Sequence, residues 1–302
     1  MNEKKVAIAF PGQGVQKVGM ADFVSGFVEE YYVYASQVLG YDLLKLCNEG
    51  PEDKLKQTVY AQPAIFVTSL ALYSLVKERF NPAYFLGHSL GEVTAMVASE
   101  AISFQDGVKI VAKRAELMEK VSADSGGMLA IIGLDSKLVN QLCLDTVSKT
   151  NEWVQVANLN SPEQIVVSGQ IGALNEIQAL ANAQGAKRVI PLNVSGPFHS
   201  KLMEPAAKDF KEFLDSGFEF RNPIAPVISN GRNIVLTTGD EIKQELVLQL
   251  TAPVLWVDNI ELLERMGIEG LIECSLTPVL SGFTKRIGAN LRISLVKLGG
   301  EE

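Results

Sequence analysis

The residues best suited to chemistry lie in "YFLGHSLGEVTAM", residues 84–96, where Ser89 sits between Gly87 and Gly91 as an apolar run becomes a helical pattern. Gly-x-Ser-x-Gly serves two ends. At a sharp strand-to-helix elbow it lifts a serine Oγ above a sheet and places it at a helix N-terminus, whose dipole favours the negative charge that develops in acyl transfer. It equally makes a tight turn that needs small residues. A serine hydroxyl is a weak nucleophile at neutral pH and needs a base within hydrogen-bond reach, so the two histidines of the chain decide the matter. His88 adjoins Ser89, and adjacent side chains at an elbow point apart. His199, in "NVSGPFHSKLMEP" after a Gly-Pro turn, is therefore the candidate base.

Two other stretches carry chemistry. In "AFPGQGVQ", Gly12 and Gly14 follow a strand and can form a nest of backbone N–H groups for an anion or oxyanion. A dinucleotide fingerprint fails there, because Lys17 stands where a third glycine belongs, and a P-loop fails for want of Gly-Lys-Ser/Thr. Arg114, in "KIVAKRAELMEK", has two readings. It pairs with Glu116 or Glu119 on a helix surface, or it offers a fixed fork to a substrate carboxylate.

The elements that must position these groups alternate between strand and helix. "KVAIAFPG" and "PAYFLGHS" read as strands, while "QPAIFVTSLALYSLVKERF", "GEVTAMVASEA" and "SFQDGVKIVAKRAELMEKV" read as helices, an α/β order with parallel pairing. Both glycine loops then fall at carboxyl ends of strands, where such sheets carry their sites. The middle of the chain reads β-α-β-β-α-β, the split, ferredoxin-like order: "GGMLAIIGL", "SKLVNQLCLDTV", "WVQVANLN", "QIVVSGQ", "IGALNEIQALANAQG" and "AKRVIPLNV". A small subdomain over 127–198 is thus expected inside a large one made of 1–126 and 199–302. Beyond residue 200 come an amphipathic helix, a "PVISN" strand, and the segments "ELVLQLTAPVLWVDNIELLERM" and "GLIECS".

Bulk properties exclude more than they assign. With 302 residues, 47% of them hydrophobic and 21% charged, the chain has the composition of a globular protein. A net charge of −8 opposes general nucleic-acid binding, yet leaves room for a local basic patch. Cys47, Cys143 and Cys274 are an odd set, far apart and without CxxC, which fits a reduced, cytoplasmic protein with no zinc site. No signal peptide and no membrane span are expected.

Taken together, "FPGQGVQ", "YAQPAIF", "GHSLGE", "KRAELM", "GGMLAIIG", "VANLNSPEQIVVSG", "VSGPFHSKLMEPAA", "PVISN", "QLTAPVLW" and "VLSGFTKRI" resemble, in order and over nearly the whole chain, the malonyl-CoA:acyl carrier protein transacylases and the related acyltransferases of polyketide assembly. The resemblance implies an α/β-hydrolase-like core with a parallel sheet and an inserted ferredoxin-like (βαββαβ) subdomain. It implies that Ser89 carries the acyl group as an ester and that His199 is its base, oriented by the backbone carbonyl of Gln249. Backbone N–H groups of Gln13 and Leu90 would form the oxyanion hole. Arg114 would pair with the free carboxylate of malonyl, and Met128, Asn160 and Phe198 would line the acyl pocket, Phe198 suiting malonyl over a branched group. Malonyl-CoA would be substrate, with no bound cofactor or metal. The partner would be an acyl carrier protein bearing phosphopantetheine, and the enzyme a monomer; because such carriers are acidic, a basic patch should dock them, with Lys187, Arg188, Lys201, Lys285 and Arg286 as candidates.

The chain departs from the family pattern at three places. "ECSLTPVLSG" replaces the usual Gly-Pro-Gly-Lys with Ser275, Leu276, Thr277 and Pro278, Val15 replaces a serine, and Val93 a tyrosine. These suggest a free-standing, trans-acting enzyme of a polyketide-type pathway. The rival readings are an acyl hydrolase that clears carrier proteins with the same Ser–His pair, and a non-catalytic carrier-binding module.

Overall fold

Two sheets that share no strand organise the chain. The computed structural model describes residues 5–24, 26–122 and 126–296. Its first elements are β1 (Val6–Phe10), α1 (Glu29–Leu39), α2 (Leu43–Glu49), α3 (Glu52–Leu55), α4 (Thr58–Ser74), β2 (Pro82–Gly87), α5 (Leu90–Ala98) and α6 (Phe104–Ser122). Next come β3 (Gly127–Ile132), α7 (Ser136–Thr150), β4 (Val154–Ser161), β5 (Gln164–Gly169), α8 (Ile171–Ala183) and β6 (Arg188–Pro191). The chain closes with α9 (Glu204–Leu214), β7 (Val227–Ile228), β8 (Val235–Leu236), α10 (Gly239–Leu248), α11 (Trp256–Arg265), β9 (Gly270–Glu273), α12 (Leu280–Ile287) and β10 (Arg292–Leu295).

The larger sheet runs β10-β9-β1-β2-β7-β8 and is parallel except for β8, which returns antiparallel to β7. Its centre is β1, "VAIAF", whose Ala7, Ile8, Ala9 and Phe10 are all buried because helices cover both faces. Register places Phe10 opposite Gly87, so the chain leaves β1 and β2 side by side. The His88 N–H donates to the Phe10 carbonyl at 3.0 Å, joining the two exits. Two glycines permit this closeness. A Cβ on Gly87 would collide with the backbone of Gly91, and one on Gly91 with the Phe10 carbonyl.

The second sheet, β4-β5-β3-β6, is antiparallel throughout. Period-two alternation splits its faces. Leu129 and Ile131 pack with Val139, Leu142 and Ile177 of α7 and α8 in a core of their own. Met128, Ala130 and Val166 point the other way and join the core of the larger sheet. The segment after α10 stitches the sheets together: the Val254 N–H donates to the Ala157 carbonyl, and the Leu159 N–H to the Val254 carbonyl.

The large parallel sheet and the β-α-β-β-α-β order stand as the sequence pattern implies. Helices α1–α3 and strands β8 and β10 have no counterpart in that reading. α1 buries only Tyr32 and Ala35, too thin an apolar stripe to show a period, and β10 is an edge strand with no fully buried residue. Residues 1–4, 25, 123–125 and 297–302, which fall in the expected large unit, lie outside the described residues. Among the described residues no helix is long and apolar enough to cross a membrane.

Candidate active site

Ser89 occupies the elbow between β2 and α5 with φ 53° and ψ −108°, a backbone geometry that costs energy for any residue with a side chain. Asn230, just beyond β7, holds it there. The Ser89 N–H donates to Asn230 Oδ1 at 2.7 Å, and Asn230 Nδ2 donates to the Gly87 carbonyl at 2.6 Å. One amide thus clamps the backbone on both sides of His88. It also engages the Ser89 N–H, which leaves that group unavailable to a developing oxyanion.

His199, 110 positions away in sequence, meets the serine: Ser89 Oγ donates to His199 Nε2 at 2.7 Å. Its own φ of 56° turns the ring inward. Nδ1 donates to the Gln249 carbonyl at 2.8 Å and to the Ala252 carbonyl at 3.1 Å, which fixes Nε2 as the acceptor nitrogen. The main chain of His199 is held in turn by Gln155 Nε2 on its carbonyl. Burial, reinforced by the charge of Arg114 and by His88, pushes the imidazole down to about 3, so it rests neutral and able to accept a proton. His88 faces elsewhere, its Nε2 lying 2.8 Å from Asn160 Oδ1.

Arg114 is fully buried on α6, which excludes the surface ion-pair reading; its neighbour Lys113 makes the pair with Glu116 instead. Its Nη1 donates to Gln62 Oε1 at 2.7 Å, and its Nη2 to Gln249 Oε1 at 2.6 Å and Ser89 Oγ at 3.2 Å. Burial lowers the guanidinium to about 10, still a cation at neutral pH. Beneath it lies Glu92, fully buried, whose carboxyl accepts from the Asn230 N–H and from Gln249 Nε2. Burial and the nearby Glu245 raise that carboxyl above the ordinary range.

These groups face a cavity of about 230 Å³ between the two sheets. Met128, Asn160 and Phe198 line it, as do Gln13 and Leu90. Leu90 is the first residue of α5, where backbone N–H groups lack helical partners and α5 directs its positive end. The nest expected in the first loop forms differently. The Gly14 N–H is bound to Gln16 Oε1, and Gly12 is needed because a Cβ there would strike His88.

At the opposite rim stand Val279 and, from α12, Leu280 and Phe283. The altered segment Ser275–Pro278 closes on itself through Ser275 Oγ and Thr277, while the buried Glu273 carboxylate accepts from the N–H groups of Val279, Leu280 and Ser281 at the head of α12. Val15 and Leu276, both departures from the family pattern, line one small cleft together. Val93, the third, is fully buried.

Sequence reasoning missed Gln62, Glu92 and Asn230. Each lay inside a quoted block, and the available signal was a polar residue in an otherwise apolar, strand- or helix-forming stretch.

A serine hydroxyl bonded to a neutral imidazole, with a buried cation alongside, defines a site that can form and discharge an ester on an acid-bearing acyl group. The description "acyl transferase domain" matches residues 8–230. Over 297 residues the chain is 38% identical to the malonyl CoA-acyl carrier protein transacylase of Staphylococcus aureus strain MSSA476, covering 97% of this chain and 96% of the relative. With the protein of that name from Bacillus subtilis strain 168, identity is 42% over 293 residues, or 95% and 92% of the two. Among solved structures, the acyl carrier protein S-malonyltransferase of Vibrio cholerae superposes with a TM-score of 0.92 at 40% identity, covering 97% of each chain. PlMCAT:AntF, described as a type II PKS acyl-carrier protein in complex with its malonyl-transacylase, gives 0.93 at 36% identity, over 97% and 96%. The chain belongs to the acyl transferase domain family, and is an acyltransferase.

Proposed function

We propose that this enzyme moves a malonyl group from malonyl-CoA, through an ester on Ser89, to the phosphopantetheine thiol of an acyl carrier protein. The observation that carries the reading is the convergence of Ser89 Oγ, His199 Nε2 and the Arg114 guanidinium on one cavity. The thioester enters with its oxygen toward the N–H groups of Gln13 and Leu90. Ser89 Oγ attacks the carbonyl carbon while His199 Nε2 takes its proton. The tetrahedral oxyanion collapses, the C–S bond breaks, and His199 returns the proton to the CoA sulfur. A carrier thiol then gives its proton to the same nitrogen and attacks the ester, and Ser89 leaves protonated.

Arg114 lies beside the acylated oxygen, where the distal carboxylate of a short diacid falls, and its burial makes an uncharged acyl group leave a cation unpaired. Met128 and Phe198 bound the acyl chain, and Asn160, holding His88, adds a polar wall. For the carrier, Arg286 is the strongest docking candidate. It stands one turn beyond Phe283 on α12 and donates to Gln164, and both Phe283 and Gln164 line the cavity. Lys187 is paired with Glu163, and Lys201 lies over the Trp153 ring, so each is less free to meet an acidic partner.

The division into 1–126 with 199–302 and 127–198 is part of this proposal, supported by the separate core over the second sheet. Service to a polyketide-type carrier is the finer proposal, supported by the altered 275–278 segment and by the likeness to PlMCAT:AntF. The names of the bacterial relatives fit a fatty-acid carrier equally well.

A panel of acyl-CoAs offered with fatty-acid and polyketide carriers tests the function. Malonyl transfer exceeding both acetyl transfer and release of free acid supports it. Dominant hydrolysis selects the clearing enzyme, and no turnover selects the binding module.

A further inference from the structure

Arg114 is a buried cation whose partners among the described residues are all neutral: Gln62 Oε1, Gln249 Oε1 and Ser89 Oγ. Its Nε has no hydrogen-bond partner among the described residues. A carboxyl group is nevertheless close. Glu92 sits one link away, its Oε2 accepting from Gln249 Nε2 at 3.1 Å. The Gln249 side chain is thus wedged between a guanidinium, which can only donate, and a carboxyl, which accepts.

We propose that the Gln249 amide is a spacer and Glu92 its orienting partner, a pair that keeps a carboxyl group near Arg114 but out of its fork, so that the fork stays open for the carboxylate of the substrate.

Three observations join in this. First, the amide orientation is dictated from both sides. With Glu92 accepting from Nε2, the oxygen must face Arg114, and a turned amide would set NH2 against a cation. Second, Glu92 cannot drift toward Arg114, because its other oxygen accepts the Asn230 N–H at 2.8 Å. Asn230 is itself fixed by Ser89 and Gly87. Third, the Gln249 main chain is independently engaged, its carbonyl holding His199 Nδ1. The side chain can therefore be exchanged without removing the acceptor that orients the base. A direct Arg–Glu pair here would be a bidentate, desolvated contact that an incoming carboxylate would have to displace. A neutral amide imposes no such competition. Glu92 and Gln249 act as positioning residues in this account: neither touches the acyl group, and both act through Arg114.

This inference rests on the malonyl reading above, and the test separates the two. The probes are malonyl-CoA and acetyl-CoA, and the readouts are kcat and KM for acylation of the full chain by each. The informative variant is the double exchange Glu92→Gln with Gln249→Glu. It keeps the composition and rematches donors to acceptors, since a glutamine at 92 donates to a glutamate at 249, but it moves the carboxyl group one link, onto Arg114, whose charge favours its ionised form.

The expected result is a malonyl-to-acetyl preference lowered by about thirtyfold or more, the low end of what a disrupted buried charge pair costs. The loss should appear as a raised KM for malonyl-CoA, over and above any change in acylation that the two substrates share. An exchange chain that keeps the parent preference overturns the inference. Gln249→Glu alone is read by the same ratio and decides the matter if the exchange chain does not accumulate. Glu92→Gln alone, which leaves two NH2 groups facing each other, should have a lower Tm than the exchange chain; an equal or higher Tm overturns the assigned amide orientation. A parent chain without malonyl preference sinks the malonyl reading and this inference together, whereas a discriminating parent with an indifferent exchange chain sinks the inference alone.

Discussion

Replacing Arg114 with alanine separates a substrate-binding arginine from a structural one. In the parent the guanidinium makes contacts of two kinds. The first is shared by every substrate: Nη2 to Ser89 Oγ at 3.2 Å, and the amides of Gln62 and Gln249. Losing these strands polar groups in a buried site, at about 1–3 kcal/mol each, and lowers Tm and turnover for any acyl-CoA. The second kind exists only with a carboxylate-bearing acyl group. Truncating one partner of a buried charge pair costs about 2–5 kcal/mol, which at about 1.4 kcal/mol per tenfold is a factor of about thirty or more. The ratio of kcat/KM for malonyl-CoA to that for acetyl-CoA cancels the shared loss and isolates the specific one. It should fall by at least that factor in Arg114→Ala, and less in Arg114→Lys, which keeps the charge but not the fork. Stopped-flow release of CoA measures both arms on one preparation. Equal losses for the two substrates would refute the reasoning and leave Arg114 a purely structural residue.

Three further outcomes follow from the geometry. His199 is held down to about 3 by burial and by Arg114, so the protonated, inactive imidazole is reached only in strong acid. The acidic limb of kcat/KM for acylation should therefore lie well below pH 6, and a midpoint near the ordinary histidine value of about 6.5 would contradict the buried, neutral base. Asn230→Ala leaves the Ser89 N–H and the Gly87 carbonyl without partners, and should cost about 1–3 kcal/mol per group in denaturant unfolding. It should also reduce kcat more than KM, and an unchanged kcat would remove its role in setting the elbow. Arg286→Glu should weaken transfer to carrier protein, in a salt-dependent way, while acylation by malonyl-CoA is kept; an equal loss in both half-reactions would place Arg286 in the wall rather than at the dock.

Much of this site was legible because its residues announce themselves by type. A serine flanked by glycines, one usable histidine and an arginine at helical spacing are rare enough to notice, and the carbonyl partner of His199 came only through resemblance. What stayed hidden were residues whose importance is relational. Asn230 matters because β7 ends beside β2, a pairing that no local pattern reveals. Glu92 reads as an ordinary acidic residue in the first turn of α5, yet it is fully buried and bonded to residues about 140 positions and more away. The two readings of Arg114 could be separated only by burial, since charge periodicity on α6 supports an exposed face as readily as an inward one. Among the elements, the strands with buried centres were evident, and the edge strand β10, exposed on one face and only part-buried on the other, was not.

The most direct test of the central claim is peptide mapping of the chain after brief incubation with malonyl-CoA and acid quenching. One malonyl group on the peptide containing Ser89, lost in Ser89→Ala and discharged when carrier protein is added, is the predicted result. Label on another residue, or label that persists in Ser89→Ala, would contradict the account.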